Sequence, residues 1–271
     1  MLRAEAVSFG YDTTEVLHDV SAGVGDAGLT GVLGPNGSGK TTLLRLLGGL
    51  RTPSDGQVTL DGRALSTYTR GTLARRMATV PQETHMAFDY SVLEVVLMGR
   101  YPHLETFAIE GPADLEFAAS ALAATGTSDL SARSFTTLSG GEKQRVVIAS
   151  ALAQLSSTDS AETGSRVLLL DEPTASLDLA YQLEIASLIR ELNARGIAII
   201  VSTHDLNLAA SVCHDLVLLR DGRVLATGAT SEVLTADMVR SLYGVDAQVT
   251  HHPATGHVLV VPLSRTHEQT R

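Results

Sequence analysis

Short apolar runs separated by turn residues make up the first part of the chain. Residues 4–9, 29–33 and 57–60 alternate with glycine, proline and polar clusters, a pattern that predicts β-strands. One longer apolar stretch, at residues 40–50, has helical spacing and predicts a helix. Residues 1–82 are therefore expected to form mainly strands, interrupted by one helix.

Residues 83–158 show a longer apolar period. Val92, Val95 and Val96 recur at the spacing of one helix face, and the apolar residues between 115 and 122 do the same. Strand patterns are few in this region. It is predicted to be a helical insertion between two strand-rich parts of the chain.

Strand and helix patterns alternate over residues 166–249. Strands are predicted at residues 167–170, 197–201 and 216–219, and helices near residues 179–195 and 206–212. Alternation of this kind is typical of a mostly parallel sheet covered by helices. The chain is therefore assigned to the α/β class, with a mostly parallel central sheet and an inserted helical subdomain.

Two polar segments carry no predicted chemistry. Residues 156–165 are small and polar, which predicts a surface loop. From residue 250 onwards we expect one last strand, at 257–261, and a frayed polar tail. Three histidines of this region have no cysteine or carboxylate pattern around them, so we interpret them as solvated side chains rather than transition-metal ligands: His251, His252 and His257.

Composition restricts the class of protein. With 271 residues, of which 44% are apolar, the chain can bury a large core as one α/β domain or as two small ones. A formal net charge of −10 argues against broad electrostatic binding to nucleic acid or to anionic lipid. Nucleic acid is therefore not an expected partner.

The single cysteine and the N-terminal residues indicate a compartment. Cys213 cannot form an internal disulfide, which favours a reducing environment. The N-terminal residues lack the apolar core of a signal peptide, and no apolar run approaches the ~20 residues that span a bilayer. We therefore expect a cytoplasmic protein whose contact with a membrane is made through a partner.

A glycine-rich motif lies between the strand predicted at 29–33 and the helix predicted at 40–50, where a P-loop belongs. Its residues are Gly34, Pro35, Asn36, Gly37, Ser38, Gly39, Lys40 and Thr41, followed by Thr42. Glycines let the backbone approach a polyphosphate with its N–H groups pointing inward, and a helix N-terminus favours an anion. Lys40 is expected to reach the β- and γ-phosphates of ATP, and the Thr41 hydroxyl to bind Mg²⁺. The motif predicts a P-loop NTPase.

Two acids follow the fully apolar strand predicted at 167–170. Ligands of open α/β sheets collect at the carboxyl ends of such strands, so Asp171 and Glu172 are expected at the mouth of the site. Asp171 suits a magnesium ion, directly or through water, and Glu172 suits a general base that polarises the attacking water. Without the P-loop, a core strand running into a solvated acidic turn would explain the same residues.

The sequence Leu138, Ser139, Gly140, Gly141, Glu142 precedes an apolar helix. Ser139 and Glu142 fit a capping box, in which each side chain binds an amide at the helix start. That structural interpretation leaves the two glycines unexplained, because glycine in a first turn lowers helix stability and exposes N–H groups to a ligand. We therefore favour an anion-binding role.

Together these motifs resemble those of the ATP-binding subunits of ABC transporters. The P-loop, the LSGGE signature at 138–142 and the VLLLDEP motif at 167–173 occur in that family's order, and the resemblance covers nearly the whole chain. It implies further site residues: Tyr11, or the nearby Phe9, stacking on adenine; Gln82 sensing Mg²⁺ and the γ-phosphate; Asp178 in the D-loop; and His204 as the switch histidine. It also implies an antiparallel β region at the N-terminus. Glu142 stands where the family most often has glutamine, and either residue can cap the helix.

The family's mechanism follows from the placement of its motifs. The signature lies on the far side of the helical insertion from the P-loop, so it is not expected to reach the ATP bound by its own chain. Two copies arranged head to tail let each signature cap the γ-phosphate held by the other copy's P-loop. MgATP is then part of the dimer interface, and its hydrolysis is expected to drive a separate membrane permease from the cytoplasmic face of the membrane.

A further resemblance indicates the class of transporter. Residues 95–104 are similar to a segment of importers of siderophores, haem and vitamin B12, and the chain lacks the additional C-terminal domain of many sugar-importer subunits. A substrate-binding protein is then an indirect partner. Two alternatives stay open: the motor of an exporter or lipid transporter, and a soluble ABC ATPase acting in assembly or repair. The soluble class would usually show a second ATPase domain, a coiled coil or a basic face for nucleic acid.

Overall fold

The computed structural model describes residues 1–84, 86–105, 107–157 and 164–265 of the chain. Its strands are β1 (Leu2–Tyr11), β2 (Thr14–Val24), β3 (Leu29–Leu33), β4 (Asp55–Leu60), β5 (Arg63–Ala64), β6 (Met77–Val80), β7 (Val167–Asp171), β8 (Ala198–Thr203), β9 (Asp215–Arg220), β10 (Arg223–Ala229), β11 (Val245–His251) and β12 (Val258–Arg265). Its α-helices are α1 (Lys40–Leu47), α2 (Arg70–Arg76), α3 (Val92–Leu97), α4 (Pro112–Ala124), α5 (Gly140–Leu155), α6 (Leu179–Ala194), α7 (Leu206–Val212), α8 (Thr230–Val233) and α9 (Ala236–Tyr243). In the described ranges, no helix has both the length and the hydropathy of a membrane span.

A six-stranded sheet forms the centre of the molecule. Its strand order is β10-β9-β3-β8-β7-β6, and all neighbours are parallel except β10 and β9. Strands β3, β7 and β8 are buried along their whole length, as expected for strands covered on both faces. Leu33 pairs with Thr203 and Asp171 pairs with Ser202, so the carboxyl ends of these three strands meet at one edge. The predicted mostly parallel central sheet is confirmed.

A second sheet, with the order β2-β1-β4-β5, is antiparallel throughout. Helix α1 packs between the two sheets, because Leu43 of α1 shares a core cluster with Leu2 and Leu17 of the antiparallel sheet and with Leu169 of β7. This arrangement confirms the antiparallel N-terminal region. It also holds α1, which begins at Lys40, close to the end of β3.

Helices α3, α4 and α5 lie between β6 and β7 in the chain and pack on one another. Val96 of α3, Ala118 of α4 and Ile148 of α5 belong to one core cluster, which also contains Ile199 of β8. We call these three helices and their connections the helical segment. Its helices bury their apolar residues against one another and against the second face of the central sheet.

A buried arginine holds the helical segment together. Arg100 follows α3, and only 4% of its side chain is exposed. Its guanidinium donates to the carbonyls of Ala153 and Ser156, at 2.6 and 2.5 Å, and to Asp114 Oδ1 at 2.9 Å. The ring of Phe117 lies 4.3 Å from the guanidinium carbon. One side chain therefore satisfies carbonyls at the end of α5 and pairs with a carboxylate at the start of α4.

One helix end and one additional helix in the first part of the chain differ from the prediction. Helix α1 ends at Leu47 rather than at residue 50, because Gly49 adopts a left-handed φ of 68° and stops the helix. The strand-rich region also contains a second helix, α2, which the sequence pattern does not predict. None of its residues is buried, so it lacks the apolar period that identifies an amphipathic helix.

The strand predicted at 257–261 overlaps β12, which pairs with β11, a strand that the sequence pattern did not predict. Asn207 of α7 accepts a hydrogen bond from the Val260 N–H at 2.8 Å and donates to the Val260 carbonyl at 3.1 Å. A side chain distant in sequence thus takes the place of a strand neighbour, and no local pattern reports such a partner.

Of the C-terminal histidines, His251 is exposed and His252 and His257 are half-buried. The rings of His252 and His257 stack at 5.3 Å across the end of the hairpin, and the backbone N–H of His252 donates to the His257 carbonyl. These two residues therefore belong to a folded turn. Residues 158–163 of the predicted loop and 266–271 of the predicted tail lie outside the described residues.

Candidate nucleotide-binding site

The glycine-rich motif forms the connection between β3 and α1. Gly37 and Gly39 have φ values of 81° and 103°, in the left-handed region that favours glycine. Gly34 needs to be glycine for another reason, since a Cβ there would lie 2.1 Å from the carbonyl oxygen of Leu219 in β9. The Ser38 N–H donates to the Pro35 carbonyl at 3.2 Å and closes the turn. The loop therefore wraps back over the start of α1.

Lys40 is the first residue of α1, and its side chain is only 5% exposed. Its Nζ donates to the carbonyl oxygens of Gly34 at 2.9 Å and Pro35 at 3.3 Å. The same nitrogen lies 3.3 Å from Glu172 Oε1. A buried ammonium requires such partners, because removing it from water is costly unless the charge is compensated. The motif thus places one cation at the centre of the loop.

Asp171 is the last residue of β7, and Glu172 follows it. Ser202, their neighbour on β8, donates through Oγ to Asp171 Oδ1 at 2.6 Å. The Glu172 N–H donates to both the carbonyl and the hydroxyl oxygen of Ser202, at 3.1 and 3.0 Å. Ser202 therefore orients both acids, and it is fully buried. The sequence prediction missed this residue, whose only sign was its place near the carboxyl end of a buried strand.

The backbone at Glu172 adopts a left-handed φ of 46°, which is unfavourable for a residue with a side chain. The turn directs the carboxylate towards the P-loop and away from the sheet. Its Oε1 lies 3.3 Å from Lys40 Nζ, and its Oε2 lies 3.1 Å from His204 Nδ1. The Glu172 side chain is 12% exposed, whereas that of His204 is 57% exposed. The carboxylate thus lies between a buried cation and an imidazole at the surface.

A cleft of about 600 Å³ opens above the P-loop. The residues that line it come from β2, from the P-loop and start of α1, from the connection after β6, and from the turns that follow β7 and β8: Val16, Asn36, Gly37, Gly39, Lys40, Thr41, Thr42, Gln82, Glu172, Ala175, Ser176 and His204. The structure thus brings the predicted Gln82 and His204 to the same cleft as the P-loop. Val16, Ala175 and Ser176 were not predicted.

The predicted adenine-stacking residues lie beside the cleft rather than among its lining residues. The Tyr11 hydroxyl accepts a hydrogen bond from Arg45 of α1 at 3.2 Å, and its ring makes an edge contact with Phe9 at 5.0 Å. Burial alone would raise the pKa of Tyr11, but hydrogen bonds with Thr42 and Arg45 and the charge of Arg51 lower it overall. Val16, at the start of β2, is the apolar side chain that faces the cleft.

Tyr243, at the end of α9, adds a buried ring near the site that the sequence did not indicate. Burial and the negative charge of Glu172 raise the pKa of its hydroxyl to about 12. Tyr243 therefore stays neutral at physiological pH.

The signature residues do not line the cleft of their own chain. Ser139 Oγ accepts from the Glu142 N–H at 3.3 Å, and Glu142 Oε2 accepts from the Ser139 N–H at 2.8 Å, so the predicted capping box forms at the start of α5. The hydrogen bond from the Ser139 N–H is the main reason why the pKa of Glu142 is lowered. Ser139 and Gly140 are exposed.

Asp178 also performs a local structural task. Its Oδ1 accepts from the Tyr181 N–H at 3.1 Å and caps α6. The residue is exposed and lies outside the set that lines the cleft. The predicted site residues are thus divided into one group gathered around the cleft and one group at the starts of α5 and α6, in which Gly141 is buried and Ser139, Gly140 and Asp178 are exposed.

The residues around the cleft fit a polyphosphate with a hard cation. The loop offers backbone N–H groups, the helix N-terminus and one buried ammonium, and the buried Ser38 Oγ has no hydrogen-bond partner among the described residues. Thr41, Gln82 and Asp171 supply hydroxyl, amide and carboxylate oxygens, the ligand types that Mg²⁺ prefers.

Comparison with known proteins identifies relatives. A family model described as ABC transporter matches residues 17–175. The ferric enterobactin transport ATP-binding protein of Escherichia coli is 39% identical over 270 residues, which cover 99% of this chain and 96% of that protein. The hemin import ATP-binding protein of Gloeobacter violaceus is 41% identical, with 97% and 94% covered. The cobalamin import ATP-binding protein of Halobacterium salinarum is 43% identical over 92% of this chain, but the match spans only 60% of that relative's length.

Solved structures show the same fold. A metal-chelate type ABC transporter in an inward-facing conformation is 31% identical, with a TM-score of 0.82 and coverage of 97% of this chain and 96% of that one. A bacterial ABC transporter cassette solved as a dimer is 26% identical, with a TM-score of 0.71 and coverage of 85% and 99%. The predicted ATP-binding cassette fold is confirmed by these structures.

Proposed function

Because this chain belongs to the ABC transporter family, whose ATP-binding subunits hydrolyse ATP, we propose that it is the motor of an importer. Two copies bind MgATP head to tail between them and power a membrane permease. We propose that the chain is a single ATP-binding domain. Residues 1–82 and 166–249 form its ATPase core, residues 83–158 form the helical insertion that carries the signature, and the residues from 250 onwards follow the core.

The position of Glu172 is the observation that carries the proposal. Its carboxylate stands at the cleft, 3.3 Å from Lys40 and 3.1 Å from His204. A carboxylate at this place can accept a proton from water as the water oxygen bonds to the γ-phosphorus of ATP. The bond from that phosphorus to the bridging oxygen breaks, and ADP and phosphate leave. His204 orients the water and the γ-phosphate, and Lys40 neutralises the phosphate charge.

Thr41, Gln82 and Asp171 would hold Mg²⁺, which when bound beside the phosphates supplies positive charge that compensates their negative charge. Ser202 supports this set because its hydroxyl donates to Asp171 Oδ1 and so orients the carboxylate, which is buried behind the residues that line the cleft. The P-loop N–H groups and Thr42 complete the contacts to the nucleotide, and Tyr11 or Phe9 covers the adenine ring.

The exposed signature supports the arrangement in which two copies share each ATP. Within one chain, Ser139 and Glu142 bind each other and lie away from the residues that line the cleft. The start of α5 is therefore open to an anion from outside the chain, which a helix N-terminus favours. The P-loop of a second copy, opposite the signature, provides that anion as the γ-phosphate of its ATP. Asp178 lies at the same interface.

The helical segment and its preceding loop offer a surface for the permease. Large apolar side chains are exposed there, among them Phe88 at 70%, Ile109 at 86% and Phe107. Exposed apolar side chains of this size mark interaction sites more often than free surface. A permease docked at this surface would hold the protein at the cytoplasmic face of the membrane.

The cargo belongs to the class of metal chelates and tetrapyrroles. Relatives matched over nearly their full length are named for ferric enterobactin and for hemin, and another is named for cobalamin. Iron-siderophore, haem or vitamin B12 uptake, with a substrate-binding protein outside the membrane, is therefore the proposed role. Identification of the membrane protein that co-purifies with the subunit tests this step, and an exporter-type partner would contradict it.

Glu172→Gln tests the catalytic proposal, because it keeps the size of the side chain and removes only the charge. ATP hydrolysis should fall by ~10² to 10⁴. The mutant should then accumulate as an ATP-bound dimer in size exclusion with MgATP, whereas wild type, or the mutant with ADP, should elute mainly as monomer. Hydrolysis at the wild-type rate would show that Glu172 is not the general base, and His204 would be the next candidate.

A further inference from the structure

The two signature glycines pack against the segment around Asp178 of the same chain. A Cβ at Gly141 would lie 2.3 Å from Cδ1 of Tyr181, and a Cβ at Gly140 would lie 3.3 Å from Cδ2 of Leu177. The first distance is far shorter than a van der Waals contact, so the Tyr181 ring lies directly on the Gly141 backbone. A neighbour within the chain therefore requires glycine at position 141, independently of any ligand.

An ion pair joins the same two helices about one turn further along. Arg145 Nη1 donates to Glu184 Oε2 at 2.8 Å, and the Arg145 guanidinium carbon lies 5.8 Å from the Tyr181 ring centroid. Arg145 follows Gly141 by four residues in α5, and Glu184 follows Tyr181 by three in α6, so each pair shares one helix face. The beginnings of α5 and α6 are therefore connected by a ring contact in the first turn and by an ion pair in the second.

Tyr181 is also coupled to the cap of its own helix. Its N–H donates to Asp178 Oδ1 at 3.1 Å, which ties the residue that carries the ring to the start of α6. The ring in turn lies on the first turn of α5, beside Ser139. A shift of the ring would consequently change the position of Ser139 relative to Asp178.

We infer that Tyr181 is a positioning residue for ATP-dependent dimerisation. Its ring sets the start of α5 against the start of α6, so that Ser139 and Asp178 reach the second copy together. The inference rests on the proposed function, in which both residues face the nucleotide held by the other copy. Tyr181 itself does not touch ATP in this arrangement.

The test compares Tyr181→Ala with Tyr181→Phe, each in the full chain carrying Glu172→Gln. Dimerisation with MgATP is measured by analytical ultracentrifugation over a range of protein concentrations. Tyr181→Ala should raise the dimer Kd roughly 10-fold, because neighbouring groups in contact couple at about this level. Tyr181→Phe keeps the ring and should retain the parental Kd. Tyr101→Ala is the matched control, since Tyr101 is 58% exposed in another part of the chain.

Two further measurements separate positioning from a role in the fold. The affinity of the monomer for a fluorescent ADP analogue and the far-ultraviolet circular dichroism spectrum should both stay at parental values in Tyr181→Ala. Parallel loss of ADP affinity and dimerisation would overturn the inference, because Tyr181 would then serve the fold as a whole. If Tyr181→Ala does not fold, Tyr181→Leu replaces it, with the same expected weakening.

The parent variant keeps the two proposals distinguishable. If Glu172→Gln alone stays monomeric with MgATP, the proposed function fails and the inference fails with it. If the parent dimerises and Tyr181→Ala dimerises with the same Kd, the inference alone is overturned.

Discussion

The nucleotide cleft and the signature differ in where their polar groups find partners. In the cleft, the Lys40 ammonium of α1 pairs with the Glu172 carboxylate, which follows β7. The Glu172 N–H donates to Ser202 of β8, and the Glu172 carboxylate contacts His204, which follows β8. At the signature, Ser139 and Glu142 bond to each other within a single helical turn. The cleft is assembled from distant segments of the chain, whereas the signature forms its side-chain hydrogen bonds within one helix start, which packs against Tyr181 of α6.

This difference indicates what each region can do by itself. The cleft holds a buried cation, two oriented acids and an unfavourable φ at Glu172, features that a packed core maintains for chemistry. The signature satisfies the side chains of Ser139 and Glu142 locally, and it leaves Ser139 and Gly140 exposed at the start of α5. Nucleotide binding is therefore expected from one chain, and hydrolysis only from two.

The largest effect is expected for Lys40→Ala, which removes the buried cation from the cleft. The affinity for MgATP should fall roughly 10²- to 10³-fold, because a charge-assisted contact to phosphate is lost in a desolvated site. Isothermal calorimetry measures the change. Lys143→Ala is the matched control, since Lys143 lies in α5, away from the cleft lining. Unchanged affinity in Lys40→Ala would refute the role of this lysine.

Ser139→Arg tests the role of the signature, the second of the two regions compared. The bulky side chain should leave MgATP binding by the monomer within about 2-fold of wild type and lower hydrolysis by ~10² or more, because the blocked amides serve the other copy. Calorimetry and a phosphate-release assay give the two values. Ser66→Arg, at an exposed serine outside both regions, should change neither. Equal losses of binding and hydrolysis in Ser139→Arg would contradict the shared site.

Asp114→Asn tests the buried ion pair that supports the helical segment. Removing the charge leaves Arg100 uncompensated, and the free energy of unfolding at pH 7 should fall by roughly 2 to 4 kcal/mol. Urea unfolding measures it. Asp246→Asn breaks the exposed pair with Arg240 and should cost at most about 1 kcal/mol. A similar decrease in the free energy of unfolding in both variants would show that the buried pair stabilises the fold no more than the exposed pair does.

The stability difference between wild type and Asp114→Asn is also expected to depend on pH. Burial alone would raise the pKa of Asp114, but hydrogen bonds from the Gly111 N–H and from Arg100 lower it below its ordinary value of 3.8. A lowered carboxyl pKa contributes stability above the ordinary value, and this contribution is lost as the pH falls through the folded value. The stability difference between wild type and Asp114→Asn should therefore narrow below about pH 4.

The smallest effect is expected for Glu142→Gln. Glutamine can accept the same hydrogen bond from the Ser139 N–H, so the free energy of unfolding at pH 7 should change by less than about 0.5 kcal/mol. The lowered pKa of Glu142 also means that its charge contributes stability above its ordinary value of 4.5, and glutamine should remove that acid dependence. Urea unfolding at pH 7 and pH 4 measures both. A decrease of more than about 1 kcal/mol in the free energy of unfolding at pH 7 would show that the charge of Glu142, rather than its hydrogen bond to the Ser139 N–H, stabilises the helix start.

Much of the fold and part of the site could be predicted from the sequence. The P-loop follows from a continuous motif, and the approach of Glu172 to His204 follows from two buried strands that end at one sheet edge. The roles of these residues stay predictions. Helix α2 and strand β11 were missed, because α2 lacks a buried face and the sequence around β11 did not show the strand pattern, whereas the predicted last strand overlaps β12.

The sequence by itself determined the family, the parallel sheet and the positions of the motifs, because these depend on short continuous patterns of glycine, apolar residues and caps. Only the tertiary structure decided how the motifs are held. Ser202 orients Asp171 across 31 residues of chain, and the Tyr181 ring covers Gly141 from another helix. Such contacts depend on strand register and on helix packing, which bring distant residues together without leaving a local pattern.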